Sequence, residues 1–238
     1  MIRYDNRDTG QSTCFDFAKS PYTLGDMARD AIGLLDALDV DHAHVVGASM
    51  GGMIGQTLAI EHAPRVRTLT SIMSSPAASS MVQAMFGGGV SPLPGPEPKA
   101  MRVVGATAAN PPRTREERID AAVRLWRALS GSGEPFDEGA VREREALVQA
   151  RALNIDAAQN HTLAVGASDR FDALRGLALP VLVIHGSEDP ILPLPHGCST
   201  ADEIPGAQLL VIEGMGHDIP PRAQKRITQA IIEHTARA

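Results

Sequence analysis

The strongest constraint on this chain is local. Residues 43–48, AHVVGA, form a short apolar run. Residues 51–62, GGMIGQTLAIEH, read as a helix that Pro64 limits. Between them lies Gly47-Ala48-Ser49-Met50-Gly51. A serine at a strand-to-helix junction, with glycines two before and two after, belongs on a very tight turn with a strained backbone. Its hydroxyl then projects above the sheet edge, and the next N–H, that of Met50, points where an oxyanion would form. Chance alone supplies the five-residue pattern in about one chain in ten of this length. The strand before it and the helix after it give it meaning.

The rest of the chain repeats the alternation. Residues 23–38 carry Leu24, Met27, Ala28, Ala31, Leu34, Leu35 and Leu38 at helical spacing, with Thr23 and Asp26 as an N-terminal cap. Residues 66–73 read as a second strand. Further strands are expected in PVLVIHG (180–186) and QLLVI (208–212), and a closing amphipathic helix over 222–236. Strands alternating with helices imply a mostly parallel sheet covered on both faces. Chemistry in such sheets gathers at the carboxyl ends of the strands. The segment 86–100 is too rich in Gly and Pro for regular structure. Helices are expected over 114–131 and 137–154. The chain thus divides into 1–75 and 171–238 as two parts of one core, with 76–170 as a helical insertion.

Composition narrows the classes. The 238 residues carry a net charge of −6, which argues against nucleic-acid binding and a polybasic membrane patch. No run is apolar for long enough to span a bilayer. The opening MIRYDNRDTG is polar, so a cytoplasmic protein is expected. Cys14 and Cys198 read as two reduced thiols. No metal-binding or phosphate-binding motif is present, and no metal or cofactor is expected.

A serine hydroxyl needs a base. Among eight histidines, His217 alone follows a strand-like run in a Gly-rich turn, EGMGHDIP. His185 reads as a packed strand residue and His44 as early-strand packing. His42, His62, His161 and His234 read as surface groups, and His196 as a loop residue without an orienting partner. The base in turn needs a carboxylate to fix its tautomer. The turn HGSEDPILP (185–193) offers Glu188 and Asp189; Asp189, followed by Pro190, is the choice. The order Ser49, Asp189, His217 is one of the known orders for this triad.

These motifs together resemble the α/β-hydrolases over nearly the whole chain. YDNRDTGQS (4–12) is similar to the family's Asp-x-Arg-Gly-x-Gly-x-Ser loop, in the variant typical of a branch near the anthracycline (aclacinomycin-type) methylesterases. YTLGDMARD (22–30), AHVVGASMGG, HGSEDPILP and GMGHDIP match its helix, nucleophile, acid and histidine elements. The resemblance implies an α/β-hydrolase fold with a helical lid and a cofactor-free serine hydrolase whose triad is Ser49, Asp189 and His217. The family also has three strands ahead of the YDNRDTG loop, and a His-Gly loop among them supplies a second oxyanion N–H. Here MIRYD corresponds to the tail of the fourth strand, so the chain reads as N-terminally truncated relative to the family. The nucleophile strand is then expected at an open, apolar edge. A late start of the sequence, a true truncation, or a partner chain over that edge would each account for this.

The expected function is hydrolysis of a carboxylic ester through an acyl-enzyme. The resemblance adds a methyl ester of a bulky apolar or polyketide-like substrate. Met81, Met85, Phe86, Leu125, Trp126, Leu129 and Phe136 are candidates for the substrate pocket. A small-molecule ester is the expected partner, with no nucleic acid or membrane, and a homo-oligomer is open. The alternatives are a lactone or carbon–carbon bond hydrolase on the same scaffold, or a degenerate, non-catalytic binding protein.

Overall fold

The structure is a computed structural model and describes residues 1–77, 79, 91–166 and 169–237. Among the described residues, four strands form one sheet in the order β1 (Ala43–Ala48), β2 (Val66–Ile72), β3 (Val181–Gly186), β4 (Gln208–Ile212). Every pairing between these strands is parallel. Ala48 pairs with Ile72, Ile72 with Ile184, and Gly186 with Ile212, so the turns after β1, β3 and β4 emerge at one end.

Helices cover both faces. On one, α9 (Pro221–Thr235) lays Ala223 and Ile227 against Ile72, Leu182, Ile184 and Ile212. On the other, Leu69, Val181 and Val183 meet Ala59 of α2 (Met50–Glu61), Leu174 and Ile204. Strand β3 is therefore buried on both sides, which explains its unbroken apolar run. Helix α1 (Leu24–Ala37) starts in the expected capping box of Thr23 and Asp26 and packs Leu24, Met27 and Ala28 against α2.

Strand β1 lies at the sheet edge, and its Val46 is 47% exposed. His44 is exposed there too, with its Nδ1 3.0 Å from the Thr68 hydroxyl, so it is not a core packing residue. MIRYD is not a strand: residues 1–6 have no regular structure. A strand is held by its ladder, and no neighbour pairs with this segment among the described residues.

Between β2 and β3 lie α3 (Pro98–Ala109), α4 (Arg115–Leu129), α5 (Glu138–Arg151) and α6 (Asn160–Val165). Helix α4 begins in a capping box of Thr114 and Glu117, and α5 at the Asp137 cap. Arg142 of α5 bonds Glu116 and Asp120 of α4. The end of the Gly/Pro-rich segment is helical after all: Pro98 opens α3, where its missing N–H costs nothing. The 4–12 loop ties this helical region to the core. Arg151 pairs with Asp5 at 2.8 Å, Leu153 N–H donates to the Gly10 carbonyl at 2.8 Å, and Arg7 bonds Asp30 of α1 at 2.7 Å.

A short α7 (Phe171–Leu174) precedes β3, and α8 (Pro195–Glu203) follows it. His196 lies in α8, fully buried, and not in a loop. His234 is not the expected surface group: it is 6% exposed, on the inner side of α9.

Three buried imidazoles have a consequence for stability. Burial pushes His185, His196 and His234 below the ordinary histidine value. The unfolded chain, with values near about 6.5, takes up these protons first as pH falls. Their contribution to stability is complete above that value and is lost as pH drops through it. Asp218 has the opposite sign. Burial raises its carboxyl, so its contribution fades as pH rises through the window above the ordinary aspartate value. Thermal unfolding followed from pH 8 to pH 5 should show Tm falling below about pH 6.5. A Tm that stays level to pH 5 contradicts this.

Candidate active site

Ser49 sits between β1 and α2 with φ 53° and ψ −122°, a left-handed backbone that a non-glycine residue adopts only under constraint. The constraint is visible. The Ser49 N–H donates to the Ile72 carbonyl at 2.9 Å, and the Ser74 hydroxyl donates to the Ser49 carbonyl at 2.8 Å. Gly47 is needed because a Cβ there would run into the backbone of Gly51 and reach the Gly52 nitrogen at 2.7 Å. The second essential glycine is not Gly51, whose Cβ would meet nothing within 4 Å. It is Gly52, where a Cβ would lie 2.5 Å from that of Ser74.

His217 and Asp189 meet Ser49 at the same sheet end. His217 Nε2 is 2.9 Å from Ser49 Oγ, and His217 Nδ1 is 2.7 Å from Asp189 Oδ2. Asp189 is 2% exposed, and its Oδ1 accepts the N–H groups of Ile191 at 3.0 Å and Leu192 at 2.8 Å. These donors hold one oxygen in place and leave the other for the imidazole. An ionised carboxylate only accepts, so Nδ1 carries the proton and Nε2 keeps a lone pair for the serine hydroxyl. The arrangement can take the proton of Ser49 and stabilise the resulting imidazolium. Met50 is the first residue of α2, where an N–H has no acceptor inside its helix.

A second serine–histidine pair is buried nearby. Ser75 Oγ is 2.7 Å from His196 Nδ1. Its Nε2 is 2.9 Å from the Pro94 carbonyl oxygen, a neutral acceptor in place of a carboxylate. The pair fastens the chain at Pro94 to the end of β2. His185 is packed in β3 as expected, and its Nε2–H donates to the Leu192 carbonyl at 2.7 Å.

The candidate pocket residues separate. Met81, Met85 and Phe86 lie outside the described residues. Trp126 and Phe136 line a surface pocket of about 280 Å³ beside Gly214, Asp218 and Gln224. Neither Ser49 nor His217 is among its described lining residues. Arg144 stacks over Trp126 at 4.3 Å and Arg127 over Phe136 at 4.5 Å, so one face of each ring is already covered. Leu129 is buried at the end of α4, and Leu125 is half-buried. Sequence reasoning missed Ser74, Gly52 and the loop after Leu129. The pattern Gly131-x-Gly133 facing Gly214-x-Gly216 was the available signal for that loop.

A parallel sheet with a serine, a carboxylate and a histidine on the turns after three strands defines a class of hydrolases. The chain belongs to the alpha/beta hydrolase fold family, whose sequence profile matches residues 2–221. Two of its relatives are the rhodomycin D methylesterases of Streptomyces sp. (strain C5) and Streptomyces peucetius. They are 38% and 37% identical to the whole of this chain, which spans 82% of each. The enol-lactonase from Burkholderia xenovorans LB400 superposes with a TM-score of 0.71 over 98% of this chain and 80% of its own, at 22% identity. No helix among the described residues is long and apolar enough to cross a membrane.

Proposed function

We propose that this protein hydrolyses a carboxylic ester, with Ser49 as nucleophile, His217 as base and then acid, and Asp189 as the group that orients His217. The observation that carries this reading is the continuous chain of hydrogen bonds from Ser49 Oγ through His217 to the buried Asp189. Ser49 attacks the ester carbonyl as His217 Nε2 takes its proton. The Met50 N–H donates to the oxyanion. His217 returns the proton to the leaving alcohol, and water attacks the acyl-enzyme by the same route in reverse.

The substrate we infer is a methyl ester on a bulky, largely apolar scaffold. Support comes from whole-chain identity to the two rhodomycin D methylesterases. Residues 76–170, with α3 to α6, are assigned here as the lid that shapes the substrate site. The partner in this reading is a small molecule, without nucleic acid or membrane, and the net charge of −6 supports it.

Fluorophosphonate labelling tests the reading. The expected result is a single adduct on Ser49, located by mass spectrometry and absent in Ser49→Ala. A folded protein that neither labels nor hydrolyses an activated ester overturns it and leaves the non-catalytic alternative.

A further inference from the structure

Three loops meet behind the candidate triad. The first is the acid turn, 186–190. The second is the histidine turn, 213–218. The third, 129–133, leaves the end of α4 in the helical insertion. The acid and histidine turns are joined by Glu188 N–H to the Met215 carbonyl at 3.0 Å and by Gly214 N–H to the Ser187 hydroxyl at 2.9 Å. Two main-chain bonds join the third loop to the histidine turn. His217 N–H donates to the Leu129 carbonyl at 2.8 Å, and Gly133 N–H to the Gly214 carbonyl at 2.9 Å. The approach leaves no room for side chains, since a Cβ on Gly131 would reach the Gly216 nitrogen at 2.6 Å.

The link from the third loop to the acid turn is made by one pair of residues. Ser132 donates twice to the Glu188 carboxylate, from its N–H at 2.7 Å and its hydroxyl at 2.6 Å. These bonds hold the Glu188 carboxyl below the usual carboxylate range, so it is ionised wherever a histidine base works. Glu188 is therefore held at both ends: its main chain to the histidine turn and its side chain to the third loop. It neighbours Asp189 in sequence and does not orient His217 itself, since Asp189 Oδ2 occupies Nδ1.

We propose that Glu188 and Ser132 are positioning residues for the triad, closing a three-loop junction that fixes Asp189 and His217 relative to each other and couples both to the helical insertion. The role rests on the esterase reading above. Small misplacements at a reacting centre cost far more in rate than in binding. The pair also faces solvent, so it adds little to overall stability.

The experiment measures ester hydrolysis and the rate of Ser49 labelling by a fluorophosphonate in Glu188→Ala, Ser132→Ala, Ser132→Thr and the double alanine variant. Glu188→Ala removes both bonds and should lower kcat and the labelling rate about 10-fold; Ser132→Ala keeps the main-chain N–H bond and should lower them about threefold, each with KM within about twofold of wild type. The double variant should be no worse than Glu188→Ala, because Glu188→Ala alone already removes both bonds. Ser132→Thr keeps the hydroxyl that alanine lacks and should show wild-type rates. Wild-type kcat in Glu188→Ala, with or without a lowered Tm, overturns the role, as does a loss confined to KM or a double variant whose losses add. If Glu188→Ala is poorly folded, Ser132→Ala carries the test by the same criteria. A wild type that does not label overturns the esterase reading and this role with it; equal labelling of wild type and Glu188→Ala overturns the role alone.

Discussion

Replacing His217 with alanine should lower kcat for ester hydrolysis by about 10⁵- to 10⁶-fold, and adding Ser49→Ala should cost almost nothing more. In the proposed mechanism the two residues act as a unit. A serine hydroxyl without a base is scarcely a nucleophile at neutral pH, so removing either one removes the covalent route. What remains comes from substrate binding and oxyanion stabilisation, about 10³- to 10⁴-fold over water in enzymes of this type. Asp189→Asn should cost about 10⁴-fold. The local geometry gives the reason. The Ile191 and Leu192 N–H groups require an acceptor at Oδ1, so the amide oxygen takes that place. The amide NH₂ then faces His217 Nδ1 and forces that nitrogen to accept. The ring proton moves to Nε2, where it points at Ser49 and cannot serve as base. Steady-state kinetics on a methyl ester, with circular dichroism to confirm folding, decide the matter. A His217→Ala enzyme that retains more than about one hundredth of wild-type kcat means that another group supplies the base.

What the sequence revealed follows from how local each signal is. Three turns, GASMG, HGSED and GMGH, declare themselves because a strand end, a glycine and a reactive residue lie within five positions. The parallel sheet that gathers them follows from the strand–helix alternation. The failures lie where distant contacts decide. Gly51 and Gly52 look equivalent as letters, yet only Gly52 presses on Ser74, twenty-two positions away in sequence. His196 and His234 carry no local mark of burial, because their neighbours come from β2, β3 and the segment around Pro94. Helix α3 hides behind a proline that looks like a breaker and is an opening residue. Helix α8, PHGCSTADE, has a glycine and few apolar positions, so it shows little periodicity. MIRYD has strand-like character, but a strand is completed by a partner that no local pattern supplies. Glu188 stood beside Asp189 as a candidate acid. Distant contacts separate them: Ser132, fifty-six residues earlier, bonds Glu188, and His217 bonds Asp189.

The second large effect distinguishes the two glycines of the pentapeptide. Gly47→Ala should destabilise the fold by about 4 kcal/mol or more, a magnitude reserved for changes the structure cannot absorb. Gly47 is the fifth residue of β1 and pairs with Ser71, so the sheet holds it from one side. A Cβ there would strike the Gly51 carbonyl and the Gly52 nitrogen, both main-chain atoms of the first turn of α2. No rotamer change relieves a clash with backbone. The helix would have to retreat from the strand, and Ser49, between them, would lose the bond from its N–H to Ile72. Gly51→Ala should behave in the opposite way. Its Cβ would enter open space, and alanine is favoured over glycine within a helix by up to about 1 kcal/mol. Thermal unfolding and fluorophosphonate labelling of the two variants separate the cases. The expected pattern is a Tm lowered by roughly ten degrees or more with no labelling for Gly47→Ala, and a wild-type or higher Tm with labelling retained for Gly51→Ala. Equal loss in both variants would mean that the turn demands glycine for its backbone and not for clearance. The close approach of the Gly51 carbonyl would then not be what excludes a side chain at position 47.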